Sequence, residues 1–120
     1  MTSSKTFQFY IAGVQFHEAK NHLKELEEAI GADLQMVPEP TNKFDPNAIR
    51  LHFESPSTER EVMLGFVPKK IAPAVGAFLL TAEEPTCELS NMIPSAKPWE
   101  QLQVRIYDAA HVDEPDEEVA

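Results

Sequence analysis

The sequence predicts a small, mostly β domain of the α+β class, with six strands and two helices. Short runs alternate apolar and polar residues and are rich in β-branched and aromatic side chains, which is typical of strands. Two other segments repeat apolar residues at helical spacing, and proline- and asparagine-rich turns separate the runs. So many short strands around two helices favour a curled sheet or a small barrel, with a helix covering one side.

Each element has its own local signal. The first strand is expected within residues 6–16, and a helix follows because apolar residues recur at helical spacing from Leu23 to Ile30, before the C-cap signal of Gly31. A second helix is expected to open at Pro68, because a proline at the first helical position loses no hydrogen bond. Alternation and proline punctuation place the other strands at residues 32–40, 47–55, 61–67, 86–93 and 100–108.

Length and composition predict one soluble domain. The chain has 120 residues, and its 42% hydrophobic content is enough to bury a modest core. Its one cysteine, Cys87, excludes an internal disulfide framework and suits a reducing compartment. The N-terminal residues read as a strand and not as a signal peptide, and no apolar run is long enough to span a bilayer. We therefore expect a cytoplasmic protein with no membrane contact.

Charge divides the chain into a domain and a tail. The formal net charge is −10, and residues 108–120 hold six acids and no lysine or arginine. This composition predicts a disordered acidic tail, which leaves fourteen acids against ten bases in the domain of residues 1–107. An acidic domain is a weak candidate for nucleic-acid binding on charge alone, because phosphate contacts need lysine and arginine.

The sequence predicts no catalytic residues, no metal site and no cofactor. The four histidines lack the spacing of paired metal ligands. Cys87 falls in an expected buried strand, and Ser90 lacks the glycine context of a nucleophile elbow. The four glycines are scattered and form no phosphate-binding loop, so the residues give an enzyme hypothesis no support.

Aromatic residues at the ends of strands and in turns are the remaining signal. Phe16 follows the first strand, Phe44 lies in the polar turn between two strands, and Trp99 lies in the last loop. Lys69 and Lys70 fall at the expected start of the second helix, where backbone N–H groups favour an anion. Aromatic platforms beside cations suit single-stranded nucleic acid. The alternative is that these aromatics close the ends of the core.

Three segments, in this order, resemble the HIRAN domain family: IAGVQFHEA, VPEPTNKFDPNAIRL and LGFVPKKIAPAVGAFL. The most specific part is the run from Glu39 to Ile49, and the next is the G-x-V-P-K pattern from Gly65 to Lys69. Together the segments extend the resemblance over roughly residues 7–107. It implies an OB-like antiparallel β-barrel with helices.

The resemblance also implies a function. HIRAN domains occur at the front of eukaryotic fork-remodelling SWI/SNF-type helicases and as small stand-alone proteins in bacteria and phages. The family resemblance implies capture of the 3′-hydroxyl end of single-stranded DNA, without catalysis, in repair or replication. By motif, Phe16 and Phe44 would stack on bases. Asp45 would accept the hydrogen bond of the terminal hydroxyl, with Asn42 beside it in the same turn.

The same resemblance assigns three further positions. Lys69 would meet a phosphate, and Trp99 falls near the family's last aromatic contact. Gln15 replaces the basic residue that the family places beside the first aromatic, which removes one phosphate partner. A structural alternative for the turn is that Asp45 and Asn47 cap backbone groups around Pro46 while Phe44 folds onto the barrel.

A second hypothesis comes from a different class of protein. The acidic surface would make this a protein-interaction module that docks on a basic partner, such as a helicase or nuclease subunit. The two hypotheses differ in geometry. The nucleic-acid hypothesis requires four residues to converge on one concave surface: Phe16, Phe44, Asp45 and Lys69.

Overall fold

The structure is a computed structural model, and it describes residues 6–14, 21–56 and 59–111. In these residues the strands are β1 (Phe7–Tyr10), β2 (Asp33–Pro38), β3 (Ile49–Ser55), β4 (Arg60–Phe66), β5 (Pro85–Met92) and β6 (Leu102–Asp108). The helices are α1 (Leu23–Glu27) and α2 (Ala72–Thr81), with short 3-10 helices at Pro98–Glu100 and Ala109–His111. The predicted class and element order are confirmed. No helix in the described part of the chain is long and apolar enough to cross a membrane.

The strands form one antiparallel sheet in the order β1-β6-β5-β2-β3-β4. Beyond edge strand β1, Ala12 reaches the other edge at Phe66 of β4, and each backbone N–H donates to the other's carbonyl at 2.8 Å. In the described residues this one bridge joins the two edges. The predicted barrel is therefore a strongly curled sheet whose two edges are joined at this bridge but are not paired along their length. We call the line where the segment after β1 meets β4 the seam.

Gly65 makes the close approach at the seam possible. Its φ is +154°, a conformation that residues with a side chain rarely adopt. A Cβ atom at this position would lie 2.3 Å from the carbonyl oxygen of Ala12 and 2.7 Å from Cγ2 of Ile11. The glycine of the G-x-V-P-K pattern thus has a packing role, since it lets the segment after β1 lie against β4.

Alternating strand positions and one side of each helix form the core. Fully buried side chains come from β3, β4, β5 and β6, and the two helices add Leu26 and Val75. Phe7 and Phe78 of α2 meet edge to face at 5.6 Å between ring centroids, which holds α2 against the β1 edge. The remaining apolar helix positions pack at the margin of this core.

The first two elements are shorter than the sequence predicted. β1 covers only Phe7–Tyr10, because Gly13 (φ +76°) turns the chain shortly after the bridge at Ala12. Helix α1 stops at Glu27 and leaves Ile30 exposed. Turns follow, and in them the N–H of Gly31 donates to the carbonyl of Leu89 at 2.8 Å, so pairing with β5 replaces the predicted last turn of the helix.

Helix α2 begins later than predicted. The expectation that Pro68 opens it is wrong, because the helix starts at Ala72 with Pro73 in its first turn. A helix from Pro68 would place Pro73 in its second turn, where the ring clashes with a preceding carbonyl. Residues 69–71 form a turn instead, in which the N–H groups of Ile71 and Ala72 both donate to the carbonyl of Pro68 at 3.0 Å.

Asp108 fixes the end of the last strand. Burial acts to raise its pKa, but backbone N–H groups of Glu83, Glu84 and Ala110 donate to its carboxylate and, with nearby His111, lower the pKa below its usual value. The fold therefore continues to the 3-10 helix after β6, past the first residue assigned to the tail. The rest of that predicted tail, residues 112–120, lies outside the described residues.

Candidate nucleic-acid interface

The loop between β2 and β3, residues 39–48, is ordered by its own backbone. At its base, the N–H of Glu39 donates to the carbonyl of Ala48 at 2.9 Å. Two turns stand on this base: Asn42 N–H donates to Glu39, and Ala48 N–H donates to Asp45, both at 3.0 Å. The loop is thus two linked turns on top of the β2–β3 ladder, with Phe44 between them.

Polar side chains complete the hydrogen bonding of this β2–β3 loop. The side-chain oxygen of Asn42 accepts the backbone N–H groups of Phe44 at 2.8 Å and Asp45 at 3.0 Å. Oδ1 of Asp45 accepts the N–H of Asn47 at 2.9 Å. Short asparagine and aspartate side chains are suited to this local capping, which explains their density in the sequence.

Phe44 projects from the loop into solvent. Its side chain is 92% exposed, so the alternative in which it folds onto the barrel is wrong. The other half of that alternative is confirmed, because Asp45 does cap the backbone beside Pro46. An exposed phenylalanine ring contributes little to the stability of the fold, and here it is accessible to a ligand.

A shallow pocket of about 250 Å³ adjoins Phe44. It is lined by Ala12, Asn42, Phe44, Asp45, Ala48, Phe66, Val67 and Lys69. The seam between β1 and β4 forms one wall, the β2–β3 loop forms another, and the turn before α2 forms the third. Four residues that the sequence marked as candidates therefore meet at one concavity, which we call the Phe44 pocket.

The Phe44 pocket contains one carboxylate and one ammonium group. Asp45 uses one oxygen to cap Asn47, and in the described part of the chain its other oxygen has no hydrogen-bond partner. Lys69 is exposed and forms no ion pair with any described residue. Because the N–H groups of Ile71 and Ala72 are already bonded to Pro68, the lysine itself, not a free helix terminus, is the positive group here.

Of the other candidate residues, the structure describes only Trp99, and it does not line this pocket. Trp99 lies on the 3-10 helix before β6, is 52% exposed, and has the ammonium of Lys97 at 5.5 Å from its ring centroid. Gln15 and Phe16 lie outside the described residues. Ala12, three positions before Gln15, lines the pocket.

No nucleophile or metal cluster accompanies the site in the described residues. Burial, with the nearby charges of Asp33 and Glu88, raises the pKa of Cys87 to about 12, so its thiol stays protonated and unreactive at neutral pH. Each described histidine has a carboxylate beside it, and no three metal-ligating side chains form a metal-binding group in this part of the chain.

Two residues near the site escaped the sequence reasoning. The carboxylate of Glu39 forms an ion pair with Arg50 of β3 at 2.8 Å and accepts a hydrogen bond from Asn42 Nδ2, also at 2.8 Å. The signal that marks them is hairpin register: Val37 pairs with Arg50, and the pairing of Glu39 with Ala48 continues that ladder. Residues on the two sides of a hairpin base come close even when eleven positions separate them in sequence.

Comparison with known proteins identifies the family. The family model described as the HIRAN domain matches residues 4–110. The fold is similar to the crystal structure of the HIRAN domain of human HLTF, with a TM-score of 0.51 and 10% sequence identity. That match covers 85% of this chain and 71% of the other. No curated protein sequence matches significantly. The chain belongs to the HIRAN domain family.

Proposed function

We propose that this chain is a non-catalytic nucleic-acid-binding module that captures the 3′-hydroxyl end of single-stranded DNA, in DNA repair or replication. HIRAN domains are known as DNA-binding modules. The observation that supports the finer proposal is the Phe44 pocket, where an exposed aromatic, a carboxylate and a lysine from separate parts of the chain face one concavity. These three groups match the three parts of a terminal nucleotide: the base, the sugar hydroxyl and the phosphate.

Each part of the terminal nucleotide has a suitable partner. The ring of Phe44 offers a stacking surface to the last base, which contributes on the order of 1–3 kcal/mol. The uncapped oxygen of Asp45 accepts the hydrogen bond of the 3′-hydroxyl. Lys69 neutralises the preceding phosphate. An internal nucleotide has no hydroxyl at this position and carries a phosphate there, which Asp45 repels, so the acid selects strand ends.

The remaining candidate residues extend this proposal outward. Asn42 keeps Phe44 and Asp45 in place through its side-chain oxygen, and it also lines the pocket. We propose further base stacking by Phe16 and Trp99, with Gln15 beside the strand. Because Gln15 carries no charge, we expect modest affinity that falls as the salt concentration rises.

The test is end discrimination by fluorescence anisotropy at low salt. A labelled single strand with a free 3′-hydroxyl, the same strand with a 3′-phosphate, and a blunt duplex are titrated with the protein. We expect the free hydroxyl to bind most tightly. In Asp45→Asn, which removes the charge but keeps an oxygen for the cap, the preference over the 3′-phosphate should fall about tenfold.

A matched control distinguishes the effect of the Asp45 charge from the effect of lowering the net negative charge of the protein. Asp33→Asn removes an exposed acid from β2, outside the pocket, and should leave the preference for the free hydroxyl unchanged. If Asp45→Asn keeps the full preference of the unmodified protein, or if Asp33→Asn loses it equally, Asp45 does not read the end. The proposal of 3′-end recognition would then be wrong.

A second candidate function is supported by another surface. An apolar groove of about 470 Å³ lies between the β2–β3 loop and α2, with Leu80 88% exposed at its side. This groove suits an apolar contact with a protein partner, beside the acidic docking that composition predicts. Absence of binding to all three DNA probes at high micromolar protein would favour this candidate. The buried, unreactive cysteine suits either function in the cytoplasm.

A further inference from the structure

A chain of three polar side chains runs from β3 to the tip of the β2–β3 loop. Arg50 Nε lies 2.8 Å from Glu39 Oε2, and Glu39 Oε1 accepts a hydrogen bond from Asn42 Nδ2 at 2.8 Å. The side chains of Arg50 and Glu39 are 34% and 23% exposed, so they are partly shielded from water. Asn42 then accepts the N–H groups of Phe44 and Asp45. Both oxygens of the glutamate are thus engaged between a strand and the loop.

The amide group of Asn42 can take part in this series of contacts in only one orientation. Asn42 has one face that accepts hydrogen bonds and one that donates them. With its NH₂ on the glutamate, its oxygen faces the two backbone N–H groups that it orders. In the reversed orientation the NH₂ would face those N–H groups and the oxygen would face a carboxylate, and both contacts are repulsive. Glu39 therefore selects the amide orientation that holds the turn.

Arg50 fixes the glutamate in turn. A glutamate side chain at a loop base has several rotamers, and the ion pair to a β3 residue restricts it to the one that reaches Asn42. The sheet supplies the rigidity, since Arg50 lies in a central strand, opposite Val37 of β2 and Phe66 of β4. The rigid sheet thus restricts the exposed end of the loop through the side chains of Arg50, Glu39 and Asn42.

From this arrangement we infer that Glu39 and Arg50 are positioning residues: they set the loop so that Phe44 and Asp45 are preorganised for the ligand. Neither lines the Phe44 pocket, so their effect on binding passes through Asn42. Preorganisation raises affinity because less conformational freedom is lost on binding. The effect on DNA rests on the proposed function, whereas the effect on the loop can be measured without any ligand.

The first measurement is backbone amide exchange with water, by NMR, in the DNA-free protein. In Glu39→Ala and in Arg50→Met, the amides of Phe44 and Asp45 should exchange about five- to tenfold faster, since each loses an ordered acceptor. Arg50→Lys keeps a cation that can reach the glutamate, and it should restore most of the protection. Unchanged exchange in Glu39→Ala would overturn the inference whatever the DNA result.

A matched control removes an arginine of β4 that lies next to the opposite end of β3. Arg60 of β4 is exposed and pairs with Ser55, whereas Arg50 lies at the loop end of the same ladder. Arg60→Met should leave the exchange of both loop amides unchanged. If Arg60→Met accelerates exchange as much as Arg50→Met does, the effect is general and the positioning role is wrong.

The second measurement is the preference for a free 3′-hydroxyl over a 3′-phosphate. Glu39→Ala and Arg50→Met should reduce it about five- to tenfold, and Arg50→Lys should recover it. Faster exchange with an unchanged preference would overturn the link to the ligand. If the unmodified protein shows no preference, the proposed function fails, and the exchange measurement alone then decides whether Glu39 and Arg50 order the loop.

Discussion

Two loops in the described part of the chain expose an aromatic side chain, and the hydrogen bonds around that side chain differ between them. In the β2–β3 loop, side chains of Asn42 and Asp45 bind the backbone around Phe44. The loop of residues 93–101 is closed at its base by the same kind of backbone bond as the β2–β3 loop, with Ile93 N–H donating to the carbonyl of Gln101 at 2.9 Å. Its side-chain hydrogen bond, from Gln101 Nε2, goes to the carbonyl of Pro94 and not to the backbone next to its aromatic. Its aromatic, Trp99, already has a lysine ammonium near its face.

The difference shows that exposure alone does not define a site. Phe44 lies beside the carboxylate of Asp45 and the ammonium of Lys69, both of which can form a further contact with a ligand. Its loop is joined to the sheet by the ion pair between Glu39 and Arg50. Trp99 is exposed too, but its cation comes from its own loop, two positions away. A ligand would meet a ready set of groups at Phe44 and would compete with Lys97 at Trp99. We therefore expect the first loop to dominate binding.

The largest expected effect is a loss of stability when the close approach between Gly65 and Ala12, in one wall of the Phe44 pocket, is prevented. Gly65→Ala would place a methyl group 2.3 Å from the carbonyl oxygen of Ala12, with φ at +154°. Strain and overpacking together should lower the free energy of unfolding by on the order of 3 kcal/mol. Thermal or urea denaturation followed by circular dichroism measures this.

Gly76 provides the matched glycine. It lies inside α2, and a methyl group there would meet no atom within 4 Å. Gly76→Ala should raise the free energy of unfolding by about 0.5–1 kcal/mol, because alanine favours the helix. If both substitutions change stability equally, the seam between Ala12 and Phe66 is not the constraint that the geometry indicates.

The next effect is on stacking, and it tests the comparison of the two loops directly. Phe44→Ala should weaken binding of a 3′-hydroxyl strand by about 1–3 kcal/mol, since an exposed ring contributes little to the fold but a full stacking surface to a base. Trp99→Ala should weaken it less, because Lys97 lies over that ring in the free protein. Anisotropy titrations of both variants measure the difference, and a larger loss for Trp99→Ala would reverse the ranking of the loops.

The sequence predicted the elements well because their signals are local. Strand alternation and the prolines around the end of β2 each act within a few residues. The glycine signal at Gly31 was less exact, because α1 ends at Glu27, three residues before the predicted end at Ile30. The start of α2 was misplaced because two prolines, Pro68 and Pro73, both satisfy the rule for a first turn. The rule for the first turn could not choose between them. The rule against an interior proline favours the later start, because a helix from Pro68 would bring the ring of Pro73 against the carbonyl of Lys69.

The site was predictable only in part, for the same reason. Phe44, Asp45 and Lys69 stood out because their residue types are unusual in a turn or match a family pattern. Glu39 and Arg50 look like ordinary surface charges in sequence, and only hairpin register brings them together. The role of Gly65 likewise depends on the segment after β1, more than fifty positions earlier in the chain.

The smallest effect separates two adjacent lysines. Lys69 lines the Phe44 pocket and Lys70 does not, although both are exposed in the same turn before α2. Lys69→Ala should lower the slope of log affinity against log salt by about 0.7, the value for one phosphate contact on a single strand. Lys70→Ala removes an equal charge one position away and should leave the slope nearly unchanged. Equal losses in both variants would mean that the turn acts as a diffuse positive patch, and Lys69 would then have no defined phosphate to bind.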